Sequence, residues 1–382
     1  MIMLSFGMDE LTLVVMLLNE VKMGITLNEW QDEAECIIDI VAERAEFERV
    51  FGEKRAEQTP VKGYKIAYTY GEHSFYFSAC YHPYHVNMGI AIKFSAQSLA
   101  YYLEKSKLTV YEFLQKVSDD RHVFRLSRCD LTADYIDDGI DLTKVYQDLI
   151  DDNVGVFRES ISKTNGTVSL RQYKPKLDAI VKDGDVETIY LGAPKSNVMM
   201  RIYNKKTEVL AHHGAQYDTA ISCADWVRFE MILRHEYAAQ FGNALLQVQN
   251  NDAYADLIAS AIIQKFQFKR IDEAFFGENT VYTQMIMDAI KRRDLILTAP
   301  QSRRFDLGRN IQYMMNGSGM LPTLQKIYAI WGDDALDNML SYIRECTTET
   351  EPNPDCNYWI RHNAAEYREH FTFMDFRKRF LS

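Results

Sequence analysis

The sequence contains no C-x-x-C pair, no short-period repeat, no low-complexity tract and no apolar run of bilayer-spanning length. Its six cysteines are scattered at positions 36, 80, 129, 223, 346 and 356. Such spacing argues against a disulfide framework or a zinc knuckle, which makes a reducing cytoplasm the default setting. A membrane-spanning helix needs roughly 20 apolar residues. The longest run near the start, "LTLVVMLL" at 11–18, is far shorter. It follows Asp9 and Glu10 rather than a basic leader, so a buried helix or strand is expected there and a signal peptide is not. Basic residues are also in deficit: 43 Lys and Arg stand against 54 Asp and Glu, a net charge of −11. An evenly acidic surface would repel nucleic acid.

The charge is not even. From Phe157 to Lys206 there are ten Lys or Arg against five acids, and from Ala261 to Arg309 nine against six. An acidic protein can therefore hold a positive groove. The hydrophobic fraction of 47% is enough for real cores, and 382 residues suggest two or three domains. An amphipathic helix is expected near Glu29 to Phe51. "YKIAYTYG", "HSFYFSACY" and "MGIAIKFS" read as strands, the first two joined by a Gly71-Glu72 turn. Ser95 is placed to cap a helix over "AQSLAYYLEKSK". The theme recurs with "HVFRLSRCDLTADYI" as a strand and "DLTKVYQDLIDD" as a helix capped by Asp141. "GTVSLRQY", "ETIYLGA" and "NVMMRIYNKKTEV" follow as strands, and "WVRFEMILR" is a strand passing into the helix "HEYAAQFGNALLQVQ". Beyond about residue 255 the pattern turns mostly helical, with two helices joined at Gly332 and a boundary near Phe276-Gly277. Strands joined partly by hairpins and mixed with packed helices indicate an α+β fold. The expected division is an N-terminal α+β unit at 1–115, a catalytic α+β unit at 116–275 and a mostly helical region at 276–382.

Three strands share an unusual feature. Side chains alternate faces along a strand. Read on that rule, "MMRIYNKKTEV" points Arg201, Tyr203 and Lys205 one way and Met200, Ile202 and Asn204 the other. "LSRCDLTAD" puts Arg128, Asp130, Thr132 and Asp134 on one face. "DWVRFEMIL" does the same with Arg228 and Glu230. If these strands are neighbours, carboxylates and cations converge. A hard divalent cation takes oxygen ligands such as Asp130 and Glu230 and polarises a phosphodiester oxygen. Arg201 and Lys205 offset charge developing on phosphorus. Nearby cations and a metal favour the phenolate of Tyr203, a competent covalent nucleophile.

These residues resemble a known family. "YLGAPKSNVMMRIYNKKTE" followed by "WVRFEMILR", with "FRLSRCDLTADY" before them, resembles the rolling-circle replication initiators of the Rep_trans family, together with relaxase-like initiators of integrative elements and phages. The likeness covers roughly residues 60–250, and more weakly "GSGMLPTLQKIYAIWGDDAL". It implies two related sheet-plus-helix units forming a curved relative of the HUH nuclease core. It implies Tyr203 as nucleophile, Asp130 and Glu230 as ligands of Mg²⁺ or Mn²⁺, and Arg201 and Lys205 as phosphate partners. Members nick one strand at an origin, remain on the 5′ end and leave a 3′ hydroxyl. They commonly act as dimers and recruit a host helicase. Arg128, Arg228, Lys195, Arg171 and Lys206 are the expected further DNA contacts.

The wider HUH class binds its metal through His-hydrophobic-His, which this sequence lacks. His82-x-x-His85 and His212-His213 read as surface or loop histidines, so carboxylates fit better. Tyr190 and Tyr173 are candidates for a second tyrosine. A non-catalytic origin-binding protein is the alternative of a different class, served by basic patches and a helix pair at 321–345. A tyrosine recombinase is a poorer match, because His122-Val-Phe-Arg125 lies at a strand start without a partner tyrosine. In the C-terminal region, Lys291-Arg292-Arg293 and Arg303-Arg304 are candidates for phosphate contact, and Tyr313, Tyr358 and Trp359 for base stacking.

Overall fold

A computed structural model gives the fold. It describes residues 3–22, 24–71, 77–161, 168–212, 216–271, 276–292, 295, 297–298, 307–316, 318–370 and 372–374. The chain divides into two compact units, Met1–Ala299 and Pro300–Ser382.

The larger unit is built on fourteen strands among the described residues: β1 (Met3–Leu17), β2 (Lys54–Ala56), β3 (Ile66–Tyr70), β4 (Ser78–Tyr81), β5 (Ile90–Phe94), β6 (His122–Ile136), β7 (Val154–Ile161), β8 (Val168–Tyr173), β9 (Leu177–Lys182), β10 (Asp185–Leu191), β11 (Val198–Asn204), β12 (Trp226–Arg234), β13 (Gln267–Ile271) and β14 (Phe276–Asn279). Ten of them form one sheet in the order β2-β3-β4-β5-β1-β6-β12-β11-β10-β9, and β14-β13-β7-β8 form a second. The stretches expected as an N-terminal and a catalytic unit thus share a continuous sheet, joined where β1 pairs with β6 over nearly the full length of both. Phe276-Gly277, expected as a boundary, begins β14, which pairs antiparallel with β13.

One face of the large sheet is apolar and carries the core. Cys129, Leu131, Ala133 and Tyr135 of β6, Val227, Phe229, Met231 and Leu233 of β12, and Met200 and Ile202 of β11 all lie in one buried cluster. Helices at residues 27–45, 96–106, 110–117, 236–245 and 251–265 supply its other wall. Phe229 sits at ring-centroid distances of 5.0 Å from Tyr135, 5.2 Å from Tyr282 and 5.9 Å from Phe268. The helix at 236–245 lies close on β6: a Cβ on Gly242 would stand 2.9 Å from Leu126 Cγ, a spacing only glycine allows without movement.

The helix starts obey their caps. Ser95 accepts from Ser98 N at the head of the helix 96–106. Asp141 accepts from the amides of Thr143 and Lys144 at the head of 142–150. One expectation is corrected. "NVMMRIYNKKTEV" is not one strand: β11 ends at Asn204, whose Oδ1 accepts from Thr207 N at 3.0 Å, and a helix begins at Lys205. An asparagine that bonds the amide three residues on is an N-cap, and it stops the strand one residue after Tyr203.

The smaller unit is helical, with helices at 307–316, 320–331, 333–349 and 354–370. The middle two join at Gly332, φ +82°, as the sequence leads one to expect. No described helix is long and apolar enough to cross a membrane.

The sheet depends on Phe229 for its fit to the second layer. Phe229→Ala should cost about 3–5 kcal/mol of stability, measured as a lowered urea midpoint with an unchanged slope.

Candidate functional site

The opposite face of the large sheet is charged, and the register of three strands builds it. Arg201 of β11 lies across from Glu230 of β12, which lies across from Thr132 of β6. One row along, Tyr203, Arg228 and Asp134 are aligned in the same way. Antiparallel neighbours at directly opposed positions put their side chains within reach of one another. The three strands are neighbours, and their polar residues share a face.

Glu230 is the junction. Its side chain is 0% exposed. One oxygen binds the Arg201 guanidinium, and Oε2 accepts a hydrogen bond from the Tyr203 hydroxyl at 2.9 Å. Arg201 Nη2 also stands 3.6 Å from Asp130 Oδ2, and Arg201 Nε is buried without a partner among the described residues. Asp130, also 0% exposed, is held by Arg128 through two bonds of 2.9 and 2.7 Å. Arg228 is 4% exposed and forms a fork on Asp134 at 2.6 and 2.8 Å. Trp226 Nε1 donates to the same carboxylate at 2.9 Å.

Two members of the ladder were not foreseen. Asp9 Oδ1 accepts from Arg228 Nη1 at 2.6 Å, and Glu10 Oε1 is 2.8 Å from Arg128 Nη1. Both come from β1, where the pairing with β6 slips between Met8 and Glu10. This is a β-bulge, with two residues of one strand opposing one of the other, and it turns both acids onto the charged face. A signal was present in the sequence. The apolar alternation of β1 runs on even positions through Leu4, Phe6 and Met8, then on odd ones through Leu11, Leu13, Val15 and Leu17.

The electrostatics follow from burial. Burial raises the Glu230 carboxyl above its ordinary range, with Arg201 opposing. Burial likewise raises Asp130, with Arg128 opposing. The Tyr203 phenol is pushed well up, first by burial and then by the charge of Glu230. The neighbouring arginines alone therefore do not favour the expected phenolate: as arranged, Tyr203 is a phenol donating to a carboxylate. Arg201 is held more firmly charged, because Glu230 and Asp130 outweigh its burial.

Lys205 departs from the strand yet stays near. Its ammonium is 5.9 Å from the Tyr203 ring centroid and pairs with Glu208 at 2.5 Å. Arg128 and Arg228, expected at DNA, are committed to the ladder. Lys206 donates to the carbonyls of Cys223 and Ala224 at 2.7 and 3.1 Å. Arg171 and Lys195 are exposed. Tyr190 lies across β10 from Arg201, while Tyr173 belongs to the other sheet. His82 lies in the loop after β4 and is buried there, its ring 4.1 Å from that of His85. Lys291 pairs with Asp252. Tyr313 is exposed, and Trp359 packs at 5.5 Å on Tyr367. His213, Arg293, Arg303, Arg304 and the side chains of His212 and Tyr358 lie outside the described residues.

Five carboxylates meet three guanidinium groups here, a balance that favours a cation. The oxygens are already engaged, however. Asp130 gives both of its oxygens to Arg128, and Glu230 divides its own between Arg201 and Tyr203. Among the described residues no group of three ligating side chains is placed to hold a metal. As arranged, Asp130 and Glu230 do not fit the divalent ion expected of them.

The arrangement can be compared with known proteins. A family model described as replication initiation factor matches residues 124–343, a span that includes β11, β12 and all but the first two residues of β6. Among solved structures, a rolling-circle replication initiator protein from Geobacillus stearothermophilus is similar in fold. The TM-score is 0.50 at 16% identity, over 78% of this chain and 100% of that one. No curated protein matches.

The ladder generates a stability prediction. Arg228→Met leaves Asp134 buried without its cation and should cost about 3–5 kcal/mol in chemical denaturation. Adding Asp134→Asn to that variant should restore part of the loss.

Proposed function

The chain belongs to the replication initiation factor family, and on that premise we propose that it nicks one strand of a replication origin through a covalent 5′-phosphotyrosine at Tyr203. The observation that carries this reading is the hydrogen bond from the Tyr203 hydroxyl to Glu230, with Arg201 on the same carboxylate.

In the proposed step the Tyr203 oxygen attacks phosphorus and its proton passes to Glu230. The bond from phosphorus to the 3′ oxygen breaks, that oxygen takes a proton from solvent water to become a free 3′ hydroxyl, and Glu230 later returns its proton to solvent. Return of the 3′ oxygen reverses the step and reseals the strand. Glu230 suits the role of base because burial raises its proton affinity, bringing it nearer to working pH than an ordinary carboxylate. Once Glu230 is protonated, its hold on Arg201 weakens. The guanidinium, with its unpartnered Nε, is then available to the charge building on phosphorus. Lys205 supplies a second positive charge beside the tyrosine ring.

The family resemblance implies that a divalent cation, Mg²⁺ or Mn²⁺, joins the reaction. To reach Asp130 or Glu230 it would have to displace an arginine. β6 with the helix 142–150, and β12 with the helix 236–245, are the two strand-helix pairs that we read as the related units of a HUH-like core. Origin DNA, a second copy of the chain and a host helicase are the proposed partners.

A supercoiled plasmid carrying the native locus provides the test. Wild type should relax it, and Tyr203→Phe should not. Glu230→Gln should slow nicking by about 10²–10⁴-fold. The wild-type rate should rise as pH climbs through the raised range of the Glu230 carboxyl, because the base works only when deprotonated, and the Gln variant should lose that rise. Wild type that binds the locus without nicking it would favour a non-catalytic origin-binding protein. Nicking by Tyr203→Phe would point to another nucleophile.

A further inference from the structure

A second concentration of cations lies outside the ladder. A cavity of about 440 Å³ opens between β7 and β8 of the small sheet and the turn that leads into β11. Arg158 of β7 and Arg171 of β8 line it, and they are direct cross-strand partners. Like charges so placed repel each other, a cost that a bound anion removes. Lys265, from the end of the helix 251–265, adds a third cation. It is 6% exposed, and its Nζ donates to the Leu297 carbonyl at 2.9 Å. Burial and the neighbouring Arg158 lower its pKa to about 8. Glu159 is the acidic residue among the described lining, and it accepts from Gln267 at 3.0 Å.

Aromatic rings interleave with these charges. Arg158 Cζ stands 3.2 Å from the Tyr173 ring centroid, and Lys265 Nζ stands 4.4 Å from that of Tyr237. Arg158 Nε is buried and unpartnered among the described residues. The cavity is also linked to the ladder. Its wall at Ser196 receives a 3.0 Å hydrogen bond from Arg234, which lies across from Arg128. From Val198 at the rim to Arg201 is three residues of strand, roughly 10 Å.

We propose that this cavity is a subsite for one nucleotide of the single-stranded substrate, its phosphate against Arg158, Arg171 and Lys265 and its base against the rings of Tyr173 and Tyr237. Cations that track the backbone, with aromatic faces for the bases, are what single-strand binding requires, and the volume suits a small-ligand site. The identity of the ligand as DNA rests on the nicking reading.

The test uses the full chain carrying Tyr203→Phe, so that no strand is captured covalently. Fluorescence anisotropy with a short labelled oligodeoxythymidylate, read across a series of salt concentrations, reports affinity and salt slope. Arg171→Gln should weaken binding about tenfold and reduce the salt slope by about 0.7. Tyr237→Leu should weaken it at least about fivefold with the slope unchanged. The melting temperature of free Arg171→Gln protein should be unchanged or higher, because the cross-strand repulsion is gone. Equal affinity and slope in both variants would overturn the proposal. So would thymidine monophosphate or inorganic phosphate competing as strongly as the oligonucleotide, which would mark a small-anion site. If wild type nicks while the variants bind normally, the subsite fails and the nicking reading stands. If wild type does not nick while the variants lose affinity, the nicking reading fails and a single-strand-binding cavity remains.

Discussion

The antiparallel pairing of β6, β12 and β11 is the constraint from which the site follows. A slip of one residue between β11 and β12 would turn Tyr203 away from Glu230, and one between β6 and β12 would part Arg228 from Asp134. The apolar face prevents this, since Cys129, Leu131, Phe229, Met231, Met200 and Ile202 must all stay in the core. The charged row is thus positioned by the hydrophobic row behind it. Packing on one side of the sheet sets distances of a few ångströms on the other.

A charged ladder of this kind is poorly explained as a stabilising device. Burying ion pairs costs desolvation that their attraction only roughly offsets. Asp130 and Glu230 show that cost as carboxyls raised by burial despite their arginines. The arrangement makes sense if the groups are held ready for chemistry. Glu230 stands between a proton donor and a cation, so moving one proton from Tyr203 alters the hold on Arg201 in the same event. The bulge at Asp9 serves the same end, since its carboxylate fixes the far side of Arg228 and keeps that arginine on Asp134.

Much of this was legible in the letters. Alternation alone put Arg128, Asp130 and Asp134 on one face of their strand and Arg228 with Glu230 on one face of theirs. The Ser95 and Asp141 caps and the Gly332 junction followed from local chemistry. What was not legible depends on contacts remote in sequence or on competition between local rules. Asp9 and Glu10 join the ladder only because β1, more than a hundred residues before β6, pairs beside it. Asn204 looked like one more strand residue, and its capping bond to Thr207 ended the strand before Lys205. β7 and β9 went unread, and the small sheet with its facing arginines is a product of pairings that composition does not announce. The phenolate expected beside cations and a metal is not favoured by the arginines alone, because burial is the larger influence on Tyr203.

In the proposed reaction one hydroxyl, that of Tyr203, is aimed at phosphorus by Glu230 and Arg201. Peptide mass mapping after reaction with a single-stranded origin oligonucleotide tests it most directly. A nucleotide adduct confined to the peptide that carries Tyr203 is the predicted result. An adduct on another of the 23 tyrosines, such as Tyr190, would contradict it.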